Sequence, residues 1–271
     1  MYSEAEFTAR WIAAFRELAD GDVELSFRLA SGHTGKPRAS SLGDCARKQL
    51  YACTGVPHTD SGDPPWAATM GYAGEALCRE TLRHMGYTVT HVDIPDDLPF
   101  SGHIDDVLEG LDLDCLTLWD NKVRGTYGMR QLITRGLPAA DPTMYLQMQA
   151  YMYALGLTQC MITVQPHDLS LMKREVSSYM KGYGGSPLIH RIVIQADREA
   201  QEIALVRSTE LQAAINLDTM VRREYNNAKT AFPCGWCDWH AQCIVDDSIA
   251  DQLELTSMPD YAEEINLEGN A

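Results

Sequence analysis

Hydrophobic and polar positions alternate along this chain in segments that change period. Residues 4–19 carry an amphipathic helical pattern. The stretch "SSLGDCARKQLYACTG" predicts a short helix opened by Ser40 or Ser41 and closed by Gly55. "HTDSGDPP" predicts a loop. Over 66–85, Met70, Gly74, Leu77, Thr81 and Met85 keep a helical spacing, and Gly86 ends it. The pattern then shortens. "YTVTHV", "FSGHIDDVLEG" and "CLTLWDNKVRG" predict strands, the last two joined as a hairpin by "LEGLDLD". A helix follows, opening at Asp141 with Pro142 in its first position. Two more strands, "QCMITVQP" and "LIHRIVIQ", precede a long helix over roughly 197–228. Helices, a hairpin, a helix and further strands predict an α/β (α+β mixed) fold with a mixed central sheet flanked by helices.

Composition adds bounds. The chain has 271 residues, 45% of them hydrophobic, enough for one large domain or two small ones. There is no run of about 18 apolar residues, so no transmembrane helix is expected. The first twenty residues lack the basic and apolar blocks of a signal peptide, which points to a reducing cytoplasm. There, eight cysteines serve as free thiols or metal ligands sooner than as disulfides. The net charge of −16 argues bluntly against a polyanionic partner. That charge is uneven, however. Residues 244–271 hold eight acids and no Lys or Arg, and many other acids crowd 93–120. Net charge therefore says little about the partner. The acidic tail suits a solubilising extension or an electrostatic decoy lying on a basic track, and apolar Ile244, Leu253, Leu255, Tyr261, Ile265 and Leu267 would also let it dock on the core.

Two clusters carry candidate chemistry. In the hairpin, Asp120 and Lys122 share one face of a strand, beside the partner segment with Asp105. Two carboxylates and an ammonium on one face suit a hard divalent cation and a positioned water. The same residues would equally serve as a surface charge pair and a turn acid. The second cluster is "PCGWCDWHAQC", with Cys234, Cys237 and Cys243 spaced C-x2-C-x5-C.

"G-x-I-D" at 102–105 followed by "D-x-K" at 120–122 resembles the PD-(D/E)XK nuclease superfamily, in its RecB-type branch. Upstream, Glu75 shares a helix face with Gly71, Cys78 and Leu82, where many members of that branch place a histidine ligand. Downstream, "QMQAY" supplies Gln147 and Tyr151 one turn apart, in the form of the family's fourth motif. Some members bracket the core with an iron–sulphur cluster held by one early cysteine and C-x2-C-x5-C. Here "SSLGDCARKQLY" resembles the early segment, with Cys45 as the fourth ligand. The departures are Glu75 for the commoner histidine, Asp120 where Glu is frequent, and the acidic tail.

The resemblance implies a restriction-endonuclease-like core over 40–243, stapled by the cluster, after an N-terminal extension at 1–39 and before the tail at 244–271. It implies that Glu75, Asp105, Asp120 and the main-chain carbonyl of Asn121 hold Mg2+ or Mn2+. Lys122 would position water, and Gln147 and Tyr151 would orient DNA or the lysine. Asp106 would support the ligands or stand as a surface acid, and Arg47, Lys48, Arg124 and Arg130 would contact phosphates. Four thiolates suit a [4Fe–4S] cluster or zinc on chemistry alone, and the resemblance favours iron–sulphur. Cys53, Cys78, Cys115 and Cys160 read as buried small hydrophobes, and His240 as a bystander. The implied activity is a DNA exonuclease acting on single-stranded or resected ends. An endonuclease of the same fold and a non-catalytic DNA-binding or assembly subunit are the alternatives. DNA is the implied ligand, with room for a recombination or CRISPR-adaptation protein partner. The small size suggests a stand-alone prokaryotic or phage enzyme working in the cytoplasm.

Overall fold

A computed structural model describes residues 1–20, 35–57, 66–110, 112–167, 189–225, 234, 237–247 and 252–258, and structural statements concern these residues. The "HTDSGDPP" loop and the far end of the tail lie outside them.

Helix α1 (Glu4–Ala19) starts at a reciprocal cap. The Glu6 N–H donates to Ser3 Oγ at 3.3 Å, and the Ser3 N–H donates to Glu6 Oε2 at 2.8 Å. A short 3-10 turn (Ala39–Ser41) precedes α2 (Ala46–Thr54), which Gly55 closes at φ +73°. The expected single helix from Ser40 is thus two pieces. Helix α3 runs Trp66–His84, and the strands are β1 (Thr88–Thr90), β2 (Asp106–Glu109) and β3 (Thr117–Arg124). Two helices without a sequence expectation follow, α4 (Thr126–Arg135) and α5 (Leu137–Ala140). Helix α6 (Pro142–Leu155) has Pro142 at its start and Asp141 as cap, accepting from the Met144 N–H at 2.9 Å. Strands β4 (Gln159–Pro166) and β5 (His190–Gln195) lead to α7 (Arg198–Asn216) and the seven-residue α8 (His240–Asp246).

The sheet has the order β1-β2-β3-β4-β5. Its pairs are antiparallel except β3 with β4, which run parallel with α4, α5 and α6 between them in sequence. Both faces are covered. Trp119 and Met161 pack with Phe7, Trp11, Cys78 and Leu82 from α1 and α3. Leu118, Cys160, Ile162 and Val164 pack on the other face against α6 and α7. Burial on two faces explains why Gln159–Val164 of β4 is buried at every position. Every residue from Met144 to Met152 in α6 is buried too, so this helix is the centre of its layer.

The long helix expected over 197–228 stops at Asn216. Asp218 takes φ +50°, and Val221 then pairs with Leu253 in an isolated bridge. The Arg222 N–H donates to the Leu253 carbonyl at 2.7 Å, and the Leu253 N–H to the Met220 carbonyl at 2.9 Å. Tertiary pairing with the tail overrides helical continuation.

That pairing belongs to a larger closure. The guanidinium of fully buried Arg47 donates from Nε to the Val221 carbonyl at 2.8 Å and from Nη1 to Asp247 at 2.8 Å; Nη2 reaches Gln252. Tyr51 Oη donates to Asp246 at 2.7 Å. Buried Arg207 donates to the Leu42 carbonyl at 2.9 Å and to Glu224 at 2.8 Å. Arg47 is therefore a structural clasp and not the phosphate contact expected from sequence.

Candidate active site

Alternation along β3 places Asp120, which is buried, and Lys122, which is half-buried, on one face of the sheet. Lys122 Nζ donates to Asp120 Oδ1 at 2.9 Å. It lies 2.7 Å from Oδ2 as well, yet Oδ2 receives no aligned hydrogen bond although it is buried. Asp105 ends the segment before β2, one residue short of the strand, and its Oδ2 accepts the Asn121 N–H at 2.8 Å.

The electrostatics are crowded. Burial, then the charges of Asp120 and Glu75, push the Asp105 carboxyl well above the usual range against the pull of Lys122 and the Asn121 N–H. For Lys122, burial acts to lower the ammonium, but Asp120 and Asp105 outweigh it and hold the charge in place. Tyr151 is pushed up to about 12 by burial, with Gln147 and Lys122 opposing. Gln147 Nε2 donates to Tyr151 Oη at 3.3 Å, so these two α6 residues meet beside the lysine.

Glu75 reaches the cluster from α3. Its partner is Arg79, one turn on, which also binds buried Asp106 at 2.5 Å and lies over the Trp119 ring. Asp106 is thus buried on the Trp119 face of the sheet, paired with Arg79. Sequence reading missed Arg79, although an acid and a base four apart on one helix face was a legible signal. It also missed how close Gly102 stands to Tyr151: a Cβ at 102 would lie 2.6 Å from Tyr151 Oη. The structure therefore brings Glu75, Asp105, Asp120, Lys122, Gln147 and Tyr151 to one place.

Asp105, Asp120 and Glu75 gather about Lys122, while Asp106 and Arg79 pair on the Trp119 face of the sheet. Carboxylates gathered about one ammonium fit a hard divalent cation by donor chemistry. Among the described residues, no three His, Cys, Asp or Glu side chains already stand in metal-holding geometry.

Other expected contacts are partly spent. Arg124 Nη2 donates to Asp141 at 2.6 Å and stays half-exposed. Lys48 pairs with Asp44 at 3.2 Å, also half-exposed. Arg130 sits half-buried on α4.

The cysteines show a second, looser gathering. Cys45 caps α2, Cys243 lies on α8, and Cys234 and Cys237 share a turn closed by the Cys237 N–H on the Cys234 carbonyl at 3.2 Å. Burial raises each of the thiols of Cys234, Cys237 and Cys243, and the charge of Cys45 adds to all three. Arg47 Nη1, at 3.6 Å from Cys243 Sγ, opposes the shift there. The donors fit a soft metal or cluster by type. Of the remaining cysteines, Cys78 and Cys160 are buried as expected, Cys53 is half-buried, and Cys115 is exposed because it sits in the β2–β3 turn.

No protein-family model matches this chain, and no curated protein matches it. Among solved structures it is similar to LHK-Exo in complex with dAMP, at 18% identity and TM-score 0.49, covering 68% of this chain and 89% of that one. It is similar to the alkaline exonuclease LHK-Exo from Laribacter hongkongensis, at 19% identity and TM-score 0.44, covering 68% and 91%. It is also similar to a phage related exonuclease from Haemophilus somnus 129PT, at 18% identity and TM-score 0.45, covering 67% and 94%. No helix among the described residues is long and apolar enough to cross a membrane.

Proposed function

We propose that this chain is a divalent-metal-dependent nuclease that hydrolyses DNA phosphodiesters, working as an exonuclease on single-stranded or resected ends. The supporting observation is the gathering of carboxylates about Lys122, with Asp120 paired to it at 2.7 Å, Asp105 beside them and Glu75 within reach of Asp105. Glu75, Asp105, Asp120 and the Asn121 carbonyl would hold Mg2+ or Mn2+. Such an ion, when bound, supplies a Lewis acid for the phosphate and lowers the pKa of its water. Lys122, kept charged by Asp120 and Asp105, orients the attacking water and stabilises charge building on the phosphate. Tyr151 stays protonated near neutrality, and its hydroxyl accepts from Gln147 beside the lysine. The end-directed preference follows from the resemblance of motif order to RecB-type nucleases.

Asp120→Ala and Lys122→Ala should each reduce DNA cleavage on the order of a hundredfold or more while the fold persists. The assay uses purified full-length protein with Mg2+ or Mn2+, on end-labelled linear and on closed circular DNA. Wild-type rates in either variant would sink the assignment, and cutting of the circles at the linear rate would replace exonuclease by endonuclease.

The four thiols of Cys45, Cys234, Cys237 and Cys243 are proposed to hold a [4Fe–4S] cluster. Anaerobically purified protein should be brown with about four irons per chain, and Cys45→Ala should be colourless. One stoichiometric zinc in colourless wild-type protein would keep the ligands and discard the iron.

A further inference from the structure

Asn121 stands between the acid and the lysine of "DNK", and its side chain lies on the opposite face of β3 from theirs. It is buried there. Its amide is satisfied at both ends in one orientation. Nδ2 donates to Thr163 Oγ1 at 2.9 Å and to the Thr163 carbonyl at 3.3 Å, and Oδ1 accepts the main-chain N–H of Glu75 at 3.2 Å. Thr163 is fully buried and sits directly opposite Asn121 in the parallel β3–β4 register. Trp119 Nε1 at 3.0 Å and Cys78 Sγ at 3.3 Å also reach its hydroxyl. Helix α3 can come this near because residue 74 is glycine. A Cβ there would stand 2.7 Å from Val123 Cγ2 and 3.7 Å from the Asn121 amide.

The acids of the candidate site come from three separate segments, α3, the approach to β2, and β3. One residue touches all three. Asn121 is bonded in sequence to Asp120. Its main-chain N–H holds Asp105, and its side chain holds the helical turn that carries Glu75. We propose that Asn121, anchored by Thr163, is a positioning residue that fixes the spacing of Glu75 against Asp105 and Asp120, and so sets the site's affinity for a divalent cation. This rests on the nuclease reading and deepens it. A hydrocarbon at 121 would fill the same space but leave α3 with no polar tie to the strand, so the acids would converge less well. Outer partners of this kind alter metal affinity about 10–100-fold.

The test is Mn2+ binding to the full-length protein, by calorimetry and by the electron paramagnetic resonance of the unbound ion. Asn121→Leu and Thr163→Val should each weaken Mn2+ binding about 10–100-fold. Thr163→Ser, which keeps the hydroxyl, should retain wild-type affinity. Circular dichroism reports which variants are folded; if Asn121→Leu is not, the Thr163 pair decides alone. Wild-type affinity in folded Thr163→Val overturns the proposal. So does Thr163→Ser binding as weakly as Thr163→Val, because packing and not the hydroxyl would then be the cause. If the variants shift Mn2+ binding as expected but the wild type cleaves no DNA, the positioning role stands and the nuclease reading falls. If the wild type binds no Mn2+, the positioning role falls whatever the cleavage assay shows.

Discussion

A single methyl group tests how tightly the candidate site is built. Gly102 faces the Tyr151 ring so closely that a Cβ would sit 2.8 Å from Cε1. Gly102→Ala must therefore displace the ring or the segment leading to Asp105. Overpacking of this kind costs about 1–3 kcal/mol, and chemical denaturation should show the loss; unchanged stability would mean that the ring moves aside freely. At this scale, residue type and spacing made the acids and the lysine legible, because Asp120 and Lys122 are two apart on a strand and Gln147 and Tyr151 are one turn apart on a helix. The side chain of Asn121 was not legible. Its partners Thr163 and Glu75 are fixed by sheet register and helix approach, which no local pattern encodes. Arg47 misled for the same reason: an arginine beside a lysine suggests an exposed base, and only distant segments bury it.

Elements with their own end signals were readable. Asp141 and Pro142 marked the start of α6, and the amphipathic period marked α1; the structure adds Gly156 as the end of α6 and the Ser3–Glu6 box at the start of α1. Helix α4 was not read, since Gly125 caps it without a side-chain bond. The β5 edge and α1 are tied by Asp112 in the β2–β3 turn. It accepts from Tyr87 Oη at 2.6 Å and from the Tyr2 N–H, and pairs with Arg191 at 3.3 Å. Burial alone would raise its pKa, but these partners outweigh burial and hold it below the usual range. A depressed folded pKa stabilises the protein above the unfolded carboxylate value of about 3.9, and that gain is lost as pH falls through the folded value. Asp112→Asn should therefore be less stable than wild type near neutrality, with the gap closing below about pH 4. Melting curves across that range measure it, and a gap independent of pH would refute the assignment.

The whole molecule is closed by contacts between α2 and the segment that follows α7. Removing Arg47 breaks its pair with Asp247, which keeps Arg223, and strips the Val221 carbonyl of its donor in a mostly buried setting. Breaking such a pair costs about 3–5 kcal/mol, so Arg47→Ala should melt on the order of 10 °C lower. Truncation after Ile244 should melt lower still, as it also takes away the partner of Tyr51. A truncated protein with the wild-type midpoint would show that the acidic segment is only a passenger. The tail's charge suggested a solubilising extension and its apolar residues a segment docked on the core; its described part is bound to buried arginines, a detail not legible because those bases are scattered through the sequence and meet only in the fold. The partners of Arg47 lie 174 to 205 residues downstream. All five strands and the acids of the site are synthesised before residue 221 is made. A growing chain thus carries every strand and every one of those acids while α2 still lacks the partners that will bury Arg47, and closure waits on the arrival of residues 243–256.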